Sequence, residues 1–129
     1  MRLLFRAAIM MKPLCLALSA LFLLTACQQR PAPSVAQETQ VQQLSALIAA
    51  ANWLRDNCAR SDIPDTQRVT AHALAQAQAR GWNTRAIASP TLALAAEQRY
   101  QALSDDNQTP TEKCAALNAS AVPFLQQLN

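Results

Sequence analysis

A long amphipathic helix is the feature of this sequence that most restricts its fold. Between residues 41 and 58, apolar side chains recur every three or four positions, at Val41, Leu44, Leu47, Ile48, Ala51, Leu54 and Cys58. This spacing places them along one face of a helix with 3.6 residues per turn. Ala46, Ala50 and Trp53 form a second apolar strip beside that face. We therefore expect this first helix to contact more than one neighbour.

The rest of the chain beyond residue 38 also favours helix over sheet. It is rich in alanine, leucine and glutamine, and the whole sequence contains a single glycine. These three residue types form helices well and strands poorly. We expect residues 39–129 to form one all-α domain of four helices.

Three signals predict where the second and third helices begin and end. Ser61-Asp62-Ile63-Pro64 offers a capping side chain followed by a proline, which is typical of a helix start. Gly81 is placed to end the second helix in the left-handed region, with Trp82 packing back on the last turn. Ser89-Pro90 predicts a third helix from about residue 90 to residue 103, after a short turn over residues 83–89.

The start of the fourth helix carries the clearest signal. Thr109-Pro110-Thr111-Glu112 places a hydroxyl at the N-cap, a proline at the first helical position and a carboxylate two positions later. This arrangement predicts a capping box. The inner face of this helix is expected to include Cys114, Leu117, Ala121, Leu125 and Leu128.

The first 26 residues have the pattern of a lipoprotein signal peptide. Three basic residues precede an apolar stretch over residues 14–24, which is shorter than the roughly 20 residues of a spanning helix. Leu24-Thr25-Ala26-Cys27 then resembles a lipobox, so we expect cleavage before Cys27 and lipid on its thiol. An ordinary secretory signal that happens to end near a cysteine is the alternative. Translation could start at Met1, Met10 or Met11.

The mature chain would be formally neutral, because Arg2, Arg6 and Lys12 account for the net charge of +3. Neither nucleic acid nor an anionic membrane surface is therefore indicated as a partner. Residues 27–38 are rich in glutamine and proline and poor in bulky apolar side chains, which predicts a flexible tether. Gln28 follows Cys27, and the lack of aspartate there favours sorting to the outer membrane over retention in the inner membrane.

Two cysteines, Cys58 and Cys114, remain in the mature chain besides Cys27. Disulfides persist in the oxidising periplasm, and a bond closing a loop of about 57 residues would stabilise the fold by about 4 kcal/mol. The alternatives are two free thiols or half of a metal site, but one histidine and no further cysteine cannot complete a zinc set. We therefore expect a disulfide and no metal.

The residues do not suggest catalysis. His72 is the single histidine and no free thiol is expected, so a nucleophile with its base is lacking. One glycine cannot build a phosphate-binding loop. We expect a binding protein, not an enzyme, with no cofactor apart from the covalent lipid at Cys27.

Several short motifs together make the chain resemble a known family. They are Asn57-Cys58, the segment from Arg60 to Pro64, Arg80-Gly81-Trp82, Thr109-Pro110, Glu112-Lys113-Cys114 and Val122-Pro123-Phe124. On these motifs the mature domain resembles the pilotin lipoproteins of type II secretion systems, the PulS/OutS family. The sequence departs from the family pattern between Trp82 and Tyr100, where Ser89-Pro90 predicts a shifted or shortened third helix.

The resemblance implies a four-helix domain in which one disulfide joins helix one to helix four. It implies lipid anchoring at the periplasmic face of the outer membrane, reached through the lipoprotein sorting machinery. The partner would be the C-terminal segment of a secretin subunit, disordered when free and folded as an amphipathic helix in an apolar groove. The pilotin would target that secretin to the outer membrane for assembly, without catalysis.

Helix one has more apolar surface than a single core requires, and this surplus suggests where such a groove lies. The candidate contacts on helices one and three are Leu44, Leu47, Ile48, Ala51, Leu54, Leu92, Leu94 and Tyr100. Packing against two bundle neighbours explains the same surplus equally well. The alternative function is a helical envelope lipoprotein that acts as a scaffold or an inhibitor without a secretin partner.

Overall fold

The computed structural model describes residues 35–128. They form four α-helices: α1 (Gln37–Asn57), α2 (Thr66–Ala79), α3 (Ser89–Asp105) and α4 (Pro110–Leu125), with a short 3₁₀ helix at Thr84–Ala86 between α2 and α3. This part of the chain contains no strand. The predicted all-α, four-helix fold is confirmed.

Helix α1 is the centre of the domain, because α2, α3 and α4 all pack against it. Ile48, Ala51 and Leu54 are at most 1% exposed, and Leu44 is 2% exposed. The second apolar strip is buried as well: Ala50 and Trp53 are covered by neighbouring helices. The expectation that this helix contacts more than one neighbour is confirmed.

The helices alternate in direction along the bundle. The Arg55 side chain near the end of α1 lies beside Thr66 at the start of α2. At the other end of α1, the Gln37 side chain donates a hydrogen bond to the carbonyl of Ala86, just before α3. Helix α2 therefore runs antiparallel to α1, and α3 returns roughly parallel to α1.

Helix α1 begins at Gln37, so Gln37 and Glu38 are helical. Ala36 is the N-cap and provides no side-chain hydrogen bond. The signal peptide, Cys27 and most of the tether lie outside the described residues.

The start of α2 differs from the prediction. Its N-cap is Asp65, whose carboxylate accepts a hydrogen bond from the backbone N–H of Arg68 at 3.0 Å. Asp62 instead binds the Arg60 guanidinium at 2.7 Å, and Pro64 lies before the cap, outside the helix. Both aspartates are acceptable cap residues, but Asp62 is bound to Arg60 and Asp65 caps the helix.

The end of α2 matches the prediction. Gly81 has φ +85°, and the N–H of Trp82 donates to the carbonyl of Ala77 at 3.0 Å. The N–H of Gly81 donates to the carbonyl of Gln78 at 2.9 Å, which completes a Schellman motif. Trp82 packs against the core as expected.

Helix α3 is a regular helix of 17 residues, so it is not shortened. Ala88 is the N-cap, and Ser89 lies inside the first turn without a capping hydrogen bond. Pro90 occupies one of the first two helical positions, where its missing N–H has no partner to lose. The extra turn expected between residues 83 and 89 is the 3₁₀ helix.

Helix α4 starts with the predicted capping box. The N–H of Glu112 donates to the Thr109 hydroxyl, and the Glu112 carboxylate accepts from the N–H of Thr109. Cys114 in the first turn is bonded to Cys58 at the end of α1, with their Cα atoms 5.7 Å apart. The predicted disulfide is confirmed, and it joins helices α1 and α4 at one end of the bundle. None of the helices within residues 35–128 combines the length and apolarity needed to cross a bilayer.

Candidate functional site

Helices α2 and α3 lie on either side of α1 and leave a cleft of about 720 Å³ between them. We call it cleft A. Ile48 of α1 forms part of its floor, together with Leu92 and Ala96 of α3. These three side chains are at least 90% buried. Leu74 and Ile87 add apolar surface on the walls, so a continuous apolar floor extends between the two helices.

One end of cleft A, which we call the Tyr100 end, has a fixed polar rim. Arg55 binds Asp56 at 2.9 Å and donates further hydrogen bonds to Asn52 and to the carbonyl of Pro64. The Tyr100 hydroxyl donates to the other oxygen of Asp56 at 3.1 Å. This network holds side chains of α1 and α3 in place before any ligand arrives.

Glu97 lies one turn before Tyr100 on the α3 wall of cleft A. Its carboxylate accepts a hydrogen bond from the side chain of Gln101 at 2.8 Å. Among residues 35–128, the two ion pairs are Arg55–Asp56 and Arg60–Asp62, so no cation neutralises Glu97 there.

The opposite end of cleft A, which we call the Arg85 end, is formed by the 3₁₀ helix. The Gln78 side chain donates to the hydroxyl of Thr84 at 2.8 Å, which ties the end of α2 to this turn. Arg85 is exposed and lines the cleft. It takes part in neither ion pair of the described residues. The two ends of the cleft therefore carry opposite charges.

A second cleft, cleft B, of about 690 Å³, lies over α1 between α3 and α4. Leu47, Leu103 and Leu117 line it, and it is more open to solvent than cleft A. Arg99 on its rim donates to the hydroxyl of Ser45 at 3.0 Å. Because this hydrogen bond joins Arg99 of α3 to Ser45 of α1, the Arg99 side chain covers part of the space between these two helices.

The structure separates the eight groove candidates into four groups. Leu44, Ala51 and Leu54 lie in the core and line neither cleft. Ile48 and Leu92 are buried at the floor of cleft A, and half-buried Tyr100 lies on its rim. Leu47 faces cleft B. Leu94 is 60% exposed and lines neither cleft.

The sequence did not predict several residues that line cleft A, among them two that carry opposite charges at its two ends. They are Asn52, Leu74, Ile87, Ala93, Ala96, Arg85 and Glu97. Leu74 lies in a segment of α2 where alanine and glutamine alternate, so its apolar face is hidden by small residues. Ile87 lies outside the four α-helices. An isolated large apolar residue between two helices, as at Ile87, is the signal that could have found it.

His72 contacts side chains of α2 and α4. Its ring lies 5.7 Å from the ring of Phe124, centroid to centroid, and its Nε2 atom is 3.1 Å from the side-chain nitrogen of Gln76. These contacts place His72 between α2 and α4, away from cleft A. In residues 35–128 no three histidine, cysteine or acidic side chains are grouped so as to hold a metal ion.

Comparison with known proteins relates this chain to two curated relatives. It is 34% identical over 113 residues to the Klebsiella pneumoniae pullulanase secretion protein PulS, with 84% of this chain and 89% of that protein covered. It is 35% identical over 99 residues to the pilotin OutS of Dickeya dadantii, with 77% and 73% covered.

Two solved structures share the fold. A chain of the Klebsiella pneumoniae type II secretion system outer membrane complex, which contains PulD, PulS and the PulC HR domain, matches with a TM-score of 0.69 at 29% identity. That match covers 74% of this chain and 100% of the other. A chain described as a pilotin/secretin peptide complex matches with a TM-score of 0.68 at 34% identity, covering 73% and 97%.

The family model described as type II secretion system pilotin lipoprotein (PulS_OutS) matches residues 22–126. This range takes in the end of the apolar stretch over residues 14–24, Cys27 and nearly all of the helical domain. The chain belongs to the type II secretion system pilotin lipoprotein family.

Proposed function

We propose that the mature protein binds the C-terminal segment of a secretin subunit in cleft A and targets that subunit to the outer membrane for assembly. Membership of the pilotin family supports this role, as does the likeness to the pilotin of a pilotin/secretin peptide complex. The protein acts by binding, without catalysis and without a cofactor apart from its covalent lipid.

The apolar floor of cleft A is the observation that carries the choice of site. An amphipathic peptide helix binds by laying its apolar face in such a groove, with polar contacts at the rim. The α2 wall runs from Thr66 to Gln78, and at 1.5 Å per residue this span is about 18 Å. Cleft A therefore accommodates about three turns of a peptide helix.

Cleft B fits a peptide helix less well. It is more open, and Arg99 already spans from α3 to Ser45 of α1 across one side of it. Arg99 therefore already occupies part of the rim that a helix in cleft B would contact. In cleft A the α3–α1 hydrogen bond from Tyr100 to Asp56 lies on the rim at one end, and the apolar floor formed by Ile48, Leu92 and Ala96 carries no such contact.

The site is tested with two matched variants on α3. Ala93→Arg places a large charged side chain in cleft A, whereas Ala102→Arg places the same side chain in cleft B. Both alanines are exposed, so both variants should fold. We expect Ala93→Arg to weaken binding of the secretin peptide by more than tenfold and Ala102→Arg to leave it unchanged.

The measurement is calorimetric titration of the mature lipoprotein in detergent with the C-terminal peptide of the secretin from the same bacterium. Circular dichroism should record a gain of helix, because the peptide folds as it binds. The opposite pattern in the two variants would move the site to cleft B. No binding to the unsubstituted protein at high micromolar concentration would contradict the pilotin role itself.

Lipid at Cys27 is proposed to hold the protein at the periplasmic face of the outer membrane after passage through the lipoprotein sorting machinery. Two or three acyl chains anchor a protein firmly, whereas one anchors it weakly. We expect Cys27→Ser to abolish metabolic palmitate labelling and to release the protein from the outer-membrane fraction. A Cys27→Ser protein that still labels and stays with that membrane would contradict the proposal.

A further inference from the structure

We infer that the peptide helix has a fixed direction in cleft A, with its N-terminus at the Tyr100 end and its C-terminus at the Arg85 end. This inference rests on the proposed function and deepens it. It follows from the charges at the two ends of the cleft and from the directions of the helices that form it.

The charge at the Tyr100 end is negative. The charges of Arg55 and Asp56 offset each other, because their side chains are 2.9 Å apart. Glu97 remains as a carboxylate without a cationic partner in the described chain, one turn from Tyr100. The N-terminus of a helix carries a partial positive charge, so this end attracts it.

The charge at the Arg85 end is positive. Arg85 is exposed, lines the cleft and belongs to none of the ion pairs within residues 35–128. A helix C-terminus carries a partial negative charge and exposes unpaired carbonyl groups, to which a guanidinium donates well. A peptide that ends inside the cleft would also place its terminal carboxylate beside Arg85.

The directions of the surrounding helices favour the same orientation. Helices α1 and α3 both run towards the Tyr100 end, so the negative ends of their dipoles point that way, whereas α2 runs in the opposite direction. A peptide with its N-terminus at the Tyr100 end lies antiparallel to α1 and α3 and parallel only to α2. Two of its three neighbours thus present favourable dipoles.

Cleft A is long enough for one peptide helix to reach both charged ends. Its α2 wall corresponds to about twelve helical residues, so a bound helix of that length has one terminus near each charge. The ligand class that best fits is a helix with an uncharged or basic first turn and an acidic last turn or a free carboxylate. The reverse arrangement would set like charges against each other at both ends.

The direction is tested by photocrosslinking to the mature lipoprotein in detergent. Two secretin peptides carry a benzophenone, one in the first helical turn and one in the last, and mass spectrometry maps the attachment. We expect the first-turn probe to attach near Thr66, Glu97 and Tyr100, and the last-turn probe to attach to residues 78–89. The reversed pattern, or equal labelling of both ends by each probe, would overturn the inference.

A second measurement tests the charges directly. Arg85→Glu should weaken peptide binding about threefold to tenfold at low salt, and the loss should shrink as salt increases. The matched control is Arg80→Glu, which changes the net charge equally but lies at cleft B. Equal effects of the two substitutions would overturn the role of Arg85. Peptide binding to the unsubstituted protein is measured first, so failure of the pilotin role is recognised separately.

Discussion

At the scale of single residues, the buried ammonium group of Lys113 links α4 to the end of α3. Lys113 is 4% exposed, and its Nζ atom donates to the carbonyl of Leu103 and lies 3.4 Å from that of Asp106. The same atom is 5.0 Å from the ring centroid of Trp53. Carbonyl groups at the end of α3 and the aromatic face replace water around the charge, so no carboxylate is needed.

Replacing Lys113 with methionine removes these donors while keeping an unbranched apolar side chain. Hydrogen bonds to charged groups contribute about 2 kcal/mol, so we expect the Lys113→Met protein to lose about 2 kcal/mol of unfolding free energy. Urea titration followed by circular dichroism measures the change. The control is Thr111→Met at an exposed neighbouring position, and an equal loss there would contradict the assignment.

The cap of α2 gives the stability a dependence on pH. The backbone N–H of Arg68 lowers the pKa of Asp65 below its ordinary value of 3.8. A group with a lowered native pKa stabilises the fold fully above its unfolded pKa, and this contribution is lost as pH falls through the native pKa.

Asp65→Asn keeps an oxygen acceptor at the cap but removes the titration. We expect the fall in unfolding free energy between pH 6 and pH 3 to be smaller for Asp65→Asn than for the unsubstituted protein. Urea titrations at the two pH values measure it. Identical pH dependences of the two proteins would show that the cap carboxylate does not titrate as described.

At the scale of elements, the capping box fixes where α4 begins and therefore where Cys114 is presented. Thr109→Ala removes the acceptor of the Glu112 N–H, and loss of such a cap costs about 1 kcal/mol. We expect that decrease in the unfolding free energy in urea. Thr111→Ala, two residues further along the chain and without a capping role, should change the unfolding free energy by no more than a few tenths of that amount.

The sequence predicts elements well where one local signal dominates. The capping box at Thr109 and the Schellman motif at Gly81 depend only on residues within one turn, and both are present. The cap of α2 lies at Asp65 and not in the predicted segment, where Asp62 binds Arg60 through a side-chain contact that no propensity describes. Helix type is thus local information, whereas the exact boundary depends on neighbouring side chains.

The residues that line cleft A could not be predicted from the sequence for a related reason. Leu54 and Ile48 occur on the same apolar face of α1, yet Leu54 is covered completely and Ile48 forms part of the floor of cleft A. The difference arises from the gap between α2 and α3, which is a property of three helices together. A helical wheel for α1 alone gives both residues the same environment.

At the scale of the whole molecule, the disulfide and cleft A lie in different parts of the domain. The disulfide joins the end of α1 to the first turn of α4, across 56 positions of sequence. Cleft A is formed by α1, α2 and α3, and neither cysteine lines it. Stability supplied by the disulfide and affinity supplied by the cleft should therefore be separable.

Replacing both Cys58 and Cys114 with alanine tests this separation. Loss of a loop closure of this length costs about 4 kcal/mol in the chain-entropy model, and each kcal/mol lowers the melting temperature of a small domain by roughly 4–8 °C. We expect a large drop in melting temperature but unchanged affinity for the secretin peptide at temperatures where circular dichroism shows that the variant is folded. If affinity falls with the disulfide in the folded variant, the bond also shapes cleft A, through the position of α1 between its neighbours.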